Sequence, residues 1–177
     1  MTGTASVDGL DRATLMDALV ALAEAGGDIV WRHFLEGADV TIKPDESPVT
    51  AADHAAEAAI LAGLQEVAPH IPVVAEEEAA AGRIPDVDGA FFLVDPLDGT
   101  KEFIRRGDDF TVNIGLIERG APTMGVVYAP ARKALYWGDA VTGVARRADR
   151  APFAERGAAS GHRGAAGPNT TLRGSLA

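Results

Sequence analysis

Asp95 and Asp98 stand three positions apart at the end of an apolar run, in Leu93-Val94-Asp95-Pro96-Leu97-Asp98-Gly99-Thr100-Lys101-Glu102-Phe103. Pro96 has no N–H to donate, so the strand is expected to stop at Asp95, and Gly99 permits a backbone conformation that other residues resist. The resulting turn folds Asp98 back beside Asp95. Unit charges about 4 Å apart repel by about 4 kcal/mol at an effective dielectric near ~20, so carboxylates gathered at a buried strand end call for a cation. Hard oxygen ligands without a neighbouring His or Cys favour Mg²⁺ or Mn²⁺ over Zn²⁺. Gly99 and Thr100 add backbone N–H groups and a hydroxyl suited to a phosphate. Metal ions beside anion donors spell phosphoryl chemistry. Pro-Leu-Asp-Gly alone is also an ordinary turn with Asp98 serving local backbone donors; the apolar strand before it and a second acidic group, Glu76-Glu77-Glu78 after Pro72-Val73-Val74-Ala75, favour the chemical reading.

The elements that would carry these groups follow from hydrophobic period. From Leu10 to Phe34 apolar residues recur at helical spacing through Leu15, Leu19, Leu22, Ile29 and Phe34, with Thr14 and Asp17 spaced as a capping pair and an interruption expected at Gly26-Gly27. Val40 to Lys43 reads as a short strand, and Ser47-Pro48-Val49-Thr50 breaks the chain before a second helix. That helix carries Ala52, Ala56, Ile60, Leu64 and Val67 on one face and stops at Pro69. Short apolar runs at 72–75 and 90–94 read as buried strands, followed by a helical turn at 101–104. Further strands are expected at 110–118, 122–129 and 134–139, the first two joined by an Arg119-Gly120 hairpin turn. This order predicts a layered α/β or α+β domain with an antiparallel portion.

The 177 residues contain no cysteine, which excludes a disulfide scaffold, thiolate metal sites and a cysteine nucleophile. The formal net charge is −10, and it is uneven: residues 1–145 hold 10 Lys and Arg against 24 Asp and Glu, whereas residues 146–177 hold 6 against 2. The acidic part would draw cations and could not track a nucleic-acid polymer by general electrostatics. No run approaches the ~18 apolar residues of a membrane span, and the first residues lack a signal peptide's pattern, so a soluble, cytoplasmic protein is expected, with peripheral membrane association left open. Residues 146–177 hold 5 Gly and 8 Ala with few large apolar side chains, so disorder is expected from about Arg146. The domain division is accordingly 1–145, a metal-binding α/β unit, and 146–177, a tail.

Two other acidic motifs fail on spacing. The haloacid dehalogenase phosphatases place one residue between their two aspartates, where this chain has Pro96 and Leu97. Asp86-Val87-Asp88-Gly89 hints at a calcium loop, but its twelfth position is Leu97 rather than Glu. By contrast, Asp95-Pro-Leu-Asp-Gly-Thr-Lys-Glu-Phe-Ile104, with Ser47-Pro-Val-Thr-Ala-Ala-Asp53 and Val73-Val-Ala-Glu-Glu77 upstream, resembles the inositol monophosphatase superfamily of lithium-sensitive, magnesium-dependent phosphatases. The Lys101-Glu102-Phe103 continuation resembles the bacterial 3′(2′),5′-bisphosphate nucleotidases. The likeness runs from about Leu10 to Gly143, through Phe110 to Ile117 and Gly125 to Pro130.

The resemblance implies the first half of a fructose-1,6-bisphosphatase/inositol monophosphatase-like α/β sandwich. It implies that Glu76, Asp95 and the Leu97 carbonyl hold a first Mg²⁺, that Asp95 and Asp98 share a second, and that Thr100, oriented by Asp53, positions the attacking water without a phosphoenzyme. Complete relatives carry two or three ions, and Mn²⁺ can substitute. Asp53 is also three residues after Thr50 and fits a capping box. Lys43 matches a lysine near the site and joins Glu76, Leu97, Asp98, Gly99 and Thr100 as substrate contacts; Glu77 would support the ligands from behind and Glu78 would be solvated. The implied substrate is 3′-phosphoadenosine 5′-phosphate, converted to AMP, with inositol phosphate or another sugar phosphate as the alternative. His33, His54, His70 and His162 form no ligand set.

Family members continue for another half-length and carry a Trp-Asp-x-Ala segment whose aspartate completes the second metal site. Here Trp31 and Trp137 are followed by Arg32 and Gly138. The expectation is a truncated or frame-shifted chain with weak second-site binding and little turnover. The alternative from another class is a non-catalytic metal-binding or dimerisation remnant whose bare apolar face seeks a partner.

Overall fold

The computed structural model describes residues 6–37, 39–42, 48–87, 89–153 and 170–171. Strands β1 (Ser6–Val7) and β2 (Leu10–Asp11) pair antiparallel and lead into the 25-residue helix α1 (Arg12–Glu36). The helix begins earlier than a Thr14–Asp17 cap would allow: the Asp11 carboxylate accepts the Thr14 N–H at 2.9 Å and is the cap. The helix also passes unbroken through Gly26-Gly27, correcting the expected interruption. A Cβ on Gly27 would stand 2.2 Å from the Tyr128 ring and one on Gly26 2.8 Å from Ile60 Cδ1. The glycines are there for close approach, at a cost of about 1 kcal/mol each in helix propensity.

Strands β3 (Val40–Ile42) and β4 (Pro48–Thr50) form a small antiparallel ribbon, so 48–50 is a paired strand where only a break was expected. Helix α2 (Ala51–Val67) follows, with Ala52, Ala56, Ile60 and Leu64 buried as its spacing predicts. The chain continues through β5 (Val73–Ala75), α3 (Glu76–Ala80), β6 (Ala90–Asp98), α4 (Thr100–Ile104), β7 (Thr111–Glu118), β8 (Ala121–Ala129), β9 (Ala134–Asp139), β10 (Val144–Asp149) and β11 (Thr170–Thr171). The strands from β5 onward form one sheet in the order β11-β10-β9-β8-β7-β6-β5, parallel only between β5 and β6. The expected α/β layering is present, and Arg119 and Gly120 turn the β7–β8 hairpin with φ of 53° and 77°.

Helices α1 and α2 cover one face of the sheet. Phe92, Val94, Val112, Ile114, Leu116, Val126 and Tyr128 are buried beneath them, each contributing on the order of 1.5–3 kcal/mol by leaving water. The alternate residues face the other way, where Leu93, Val127 and Tyr136 remain exposed.

Two further expectations change. β6 does not stop at Asp95: it resumes after a bulge, pairing Asp95 with Asn113 and Asp98 with Thr111. Pro96 is accommodated because the ladder is interrupted where it sits. Disorder from Arg146 is corrected for residues 146–149, which form β10 against β9. The following segment is tied down as well, with Tyr128 Oη donating to the Arg150 carbonyl at 3.1 Å and the Phe153 N–H donating to Asp28 at 2.6 Å. The expectation of disorder for 154–169 and 172–177 concerns residues outside those described.

Candidate active site

Parallel pairing of β5 with β6 places the carboxyl ends of both strands on one edge of the sheet. Their register sets Ala75 opposite Val94, so the next residues, Glu76 and Asp95, lie side by side. The Asp95 carboxyl is pushed up to about 7, first by burial, then by the charge of Glu76 and a hydrogen bond with it, then by Asp98. The Leu97 N–H, donating to Asp95 Oδ1 at 3.1 Å, opposes this. The bulge in β6 turns Asp98 outward, where its Oδ2 accepts from Asn113 Nδ2 at 3.4 Å.

Gly99 adopts a left-handed conformation, φ 91° and ψ 35°, at the start of α4, and a Cβ there would lie 2.5 Å from the Asp109 carbonyl oxygen. The turn therefore demands glycine twice, for conformation and for space. It delivers the Thr100 hydroxyl to a point between two acceptors, 3.1 Å from the Leu97 carbonyl and 3.3 Å from Asp53 Oδ1. The other Asp53 oxygen accepts from the Thr50 N–H at 2.8 Å and from the Thr50 hydroxyl at 2.6 Å. Asp53 thus makes the capping box of α2 and reaches Thr100 with the same carboxylate. Burial raises its pKa, against the hydrogen bonds from Thr50 and Thr100.

Of these residues Glu76, Gly99 and Thr100 line a cleft of about 210 Å³, together with Pro48, Lys101 and Glu102. The sequence-predicted residues Asp53, Glu76, Asp95, Leu97, Asp98, Gly99 and Thr100 therefore gather at one edge of the fold; Lys43 lies outside the described residues. Glu77 is buried behind the edge, and Glu78 pairs with Arg83. Among the described residues His33, His54 and His70 belong to no group of three potential metal ligands, and His162 lies outside those residues.

Sequence reading missed two residues here. Asn113 contacts Asp98 and pairs with Asp95 across the ladder; its signal is a polar residue inside the apolar strand Thr111–Glu118. Glu57 is buried on α2, and its Oε2 accepts the Glu77 N–H at 2.8 Å. Its signal is an acid four residues after Asp53, on a face that also carries Ala52, Ala56, Ile60 and Leu64.

The donor set is all oxygen, and Glu76 and Asp98 each destabilise the charge on Asp95, which is the chemistry that suits a hard divalent cation. Among the described residues no three His, Cys, Asp or Glu side chains close on a single cation position. Among the same residues no helix is long and apolar enough to cross a membrane.

A profile of the inositol monophosphatase family matches residues 11–167. The chain is 47% identical over 126 residues to the 3′(2′),5′-bisphosphate nucleotidase CysQ of Salmonella typhimurium, covering 70% of this chain and 51% of that protein. It is 44% identical over 124 residues to the Escherichia coli protein of the same name, covering 69% and 50%. The fold is similar to that of the extragenic suppressor protein suhB from Bartonella henselae (TM-score 0.66, 29% identity, 78% of this chain and 52% of the other). It is similar also to CysQ from Bacteroides thetaiotaomicron, with a TM-score of 0.62 and 34% identity over 79% and 51% of the two chains. The chain spans about half the length of the curated relatives it matches. A profile match across most of the chain, on the fold whose sheet edge gathers Asp53, Glu76, Asp95, Asp98 and Thr100, makes this protein a member of the inositol monophosphatase family.

Proposed function

We propose that the chain carries the catalytic edge of a Mg²⁺-dependent phosphomonoester hydrolase that removes the 3′-phosphate of 3′-phosphoadenosine 5′-phosphate to give AMP. The observation that carries this reading is the junction of Thr100, the Leu97 carbonyl and Asp53 next to the Glu76–Asp95 pair. The named activity of the CysQ relatives supports the substrate. Glu76, Asp95, the Leu97 carbonyl and Asp98 would hold Mg²⁺, with Mn²⁺ as a substitute. When bound, the ions neutralise phosphate charge and acidify water. The protein's own part is orientation. Thr100 donates its proton to Asp53 or Leu97, which leaves the hydroxyl lone pairs to receive a hydrogen bond from the attacking water. Asp53 stands behind as the acceptor for the proton that water gives up, its carboxyl already raised by burial. Gly99, Thr100 and Lys43 would contact the phosphate.

The test is phosphate release, with Mg²⁺ present, from 3′-phosphoadenosine 5′-phosphate, inositol 1-phosphate and fructose 1,6-bisphosphate. Release greatest from the first, and lost in Asp95→Asn, is the expected result. Release greatest from inositol 1-phosphate would reassign the substrate, and no release from any would favour a non-catalytic metal-binding or dimerisation module. The exposed apolar sheet face around Leu93, Val127 and Tyr136 favours that second reading.

A further inference from the structure

Helix α3 is five residues long and begins badly by itself. Its N-cap is Ala75, which has no acceptor, and no side chain at that position caps it. The first N–H groups of a helix have no partner within it and need acceptors from elsewhere. The acceptor comes from another helix: Glu57, near the middle of α2, directs Oε2 to the Glu77 N–H at 2.8 Å. The Glu78 N–H also favours the charged form of Glu57. Glu57 is only 4% exposed, and its nearest charges include the carboxylates of Glu77 and Glu78. A buried carboxylate beside two others is costly unless its oxygens are used. The Arg83 guanidinium is within electrostatic reach of Glu57 but makes its ion pair with Glu78, so the contact that occupies a Glu57 oxygen is the one at the start of α3.

The geometry points to Glu57 as a positioning residue: by gripping the Glu77 N–H it fixes the peptide that follows Glu76, and so sets the Glu76 carboxylate against Asp95. A peptide group is planar, so holding the N–H of residue 77 holds the carbonyl of residue 76 and with it the backbone torsion from which the Glu76 side chain departs. The β5–β6 register alone brings Glu76 level with Asp95; Glu57 decides how the chain leaves the strand there. Its link to metal binding rests on the proposed function, and its grip on α3 does not.

Two measurements separate these. The first is amide hydrogen exchange at Glu77 in the metal-free wild-type chain. A protected Glu77 N–H that exchanges at least about tenfold faster in Glu57→Ala is expected, whereas an unprotected Glu77 amide in the wild type overturns the proposal. The second is a Mg²⁺ titration of thermal unfolding. Loss of a group that orients a ligand typically weakens metal binding about 10–100-fold, so half-saturation should rise by that factor in Glu57→Ala and by no more than about threefold in Glu57→Gln, whose amide oxygen still accepts. A variant that merely loses stability would lower the melting temperature and leave half-saturation unchanged, which overturns the positioning role. No Mg²⁺-induced shift in the wild type would overturn the metal reading, while the Glu77 amide would still judge Glu57.

Discussion

At the scale of single residues the site is a matter of which oxygen faces which hydrogen. Thr100 has one hydroxyl proton and two acceptors within reach, Leu97 and Asp53, and Asp53 is already committed to Thr50 with its other oxygen. Replacing Thr100 by Val keeps the shape and removes the donor, which leaves one oxygen of a buried carboxylate unserved. That should cost about 1–3 kcal/mol of stability, read as a lower urea midpoint, together with loss of phosphate release. Thr100→Ser should keep both properties near wild type, because only the methyl is lost. A loss in Thr100→Ser with none in Thr100→Val would show that packing of the methyl, not the hydroxyl, matters.

At the scale of elements, two of the contacts that seat α1 on the sheet can be tested separately. The first is the seat of α1 on β8. Gly27→Ala should destabilise although alanine is the better helix former, because the new methyl meets the Tyr128 ring. The propensity gain is about 1 kcal/mol, and overpacking of a fixed ring costs on the order of 1–3 kcal/mol, so the net sign in chemical denaturation is a loss. A stabilised Gly27→Ala would mean that Tyr128 moves aside freely. The second contact is ionic: Arg12, 2% exposed at the start of α1, makes two hydrogen bonds of 3.0 Å to Asp139 on β9 and one of 2.7 Å to Glu118 on β7. Burial by itself would raise Asp139, but hydrogen bonds from Arg12, Thr142 and the Val141 N–H outweigh it and hold its pKa below the ordinary value. Glu118 is likewise lowered, burial being outweighed by Thr123 and Arg12. Lowered carboxylate pKa values mean stability that is present above the ordinary, unfolded values near ~4 and lost as pH falls through the folded ones. Acid unfolding should therefore steepen below about pH 4, and Arg12→Ala should weaken that dependence while costing about 3–5 kcal/mol at pH 7, since it strands buried charge. An unchanged acid profile in Arg12→Ala would remove this cluster from the explanation.

At the scale of the whole molecule, the sheet has, among the described residues, one covered face and one open face. On the open side Gly115, Gly125 and Gly138 are cross-strand partners on β7, β8 and β9, and the trough they leave is bordered by Leu93, Val127 and Tyr136, each about two-fifths exposed. A hollow of about 580 Å³ along this face extends to Glu76, Asp95 and Asn113 at the site edge. Contiguous apolar surface of this kind associates. Sedimentation velocity should show self-association that grows with concentration, and Leu93→Lys with Val127→Lys should return the chain to a monomer. A wild-type monomer at every concentration would count against the dimerisation reading and leave the open face unexplained.

Much of this was legible in the residues. The helix spacing, the apolar runs, the Arg119-Gly120 turn and the need for glycine at position 99 depend on local period and on what Gly can do, and these are properties of a few neighbouring residues. The errors were also informative, since Gly26-Gly27 and Pro96 carry local signals of a break that distant partners override: the Tyr128 ring and Ile60 make room for glycine, and a bulge against β7 tolerates the proline. Glu57 and Asn113 were invisible as site residues because their partners lie 20 and 15 positions away, across packed elements. Which oxygens are available, and that they cluster in short motifs, follows from the residues alone. That β5 runs parallel to β6, which is what sets Glu76 beside Asp95, follows from packing α1 and α2 over one sheet face, because strand direction and register are properties of the assembled sheet and not of any single residue.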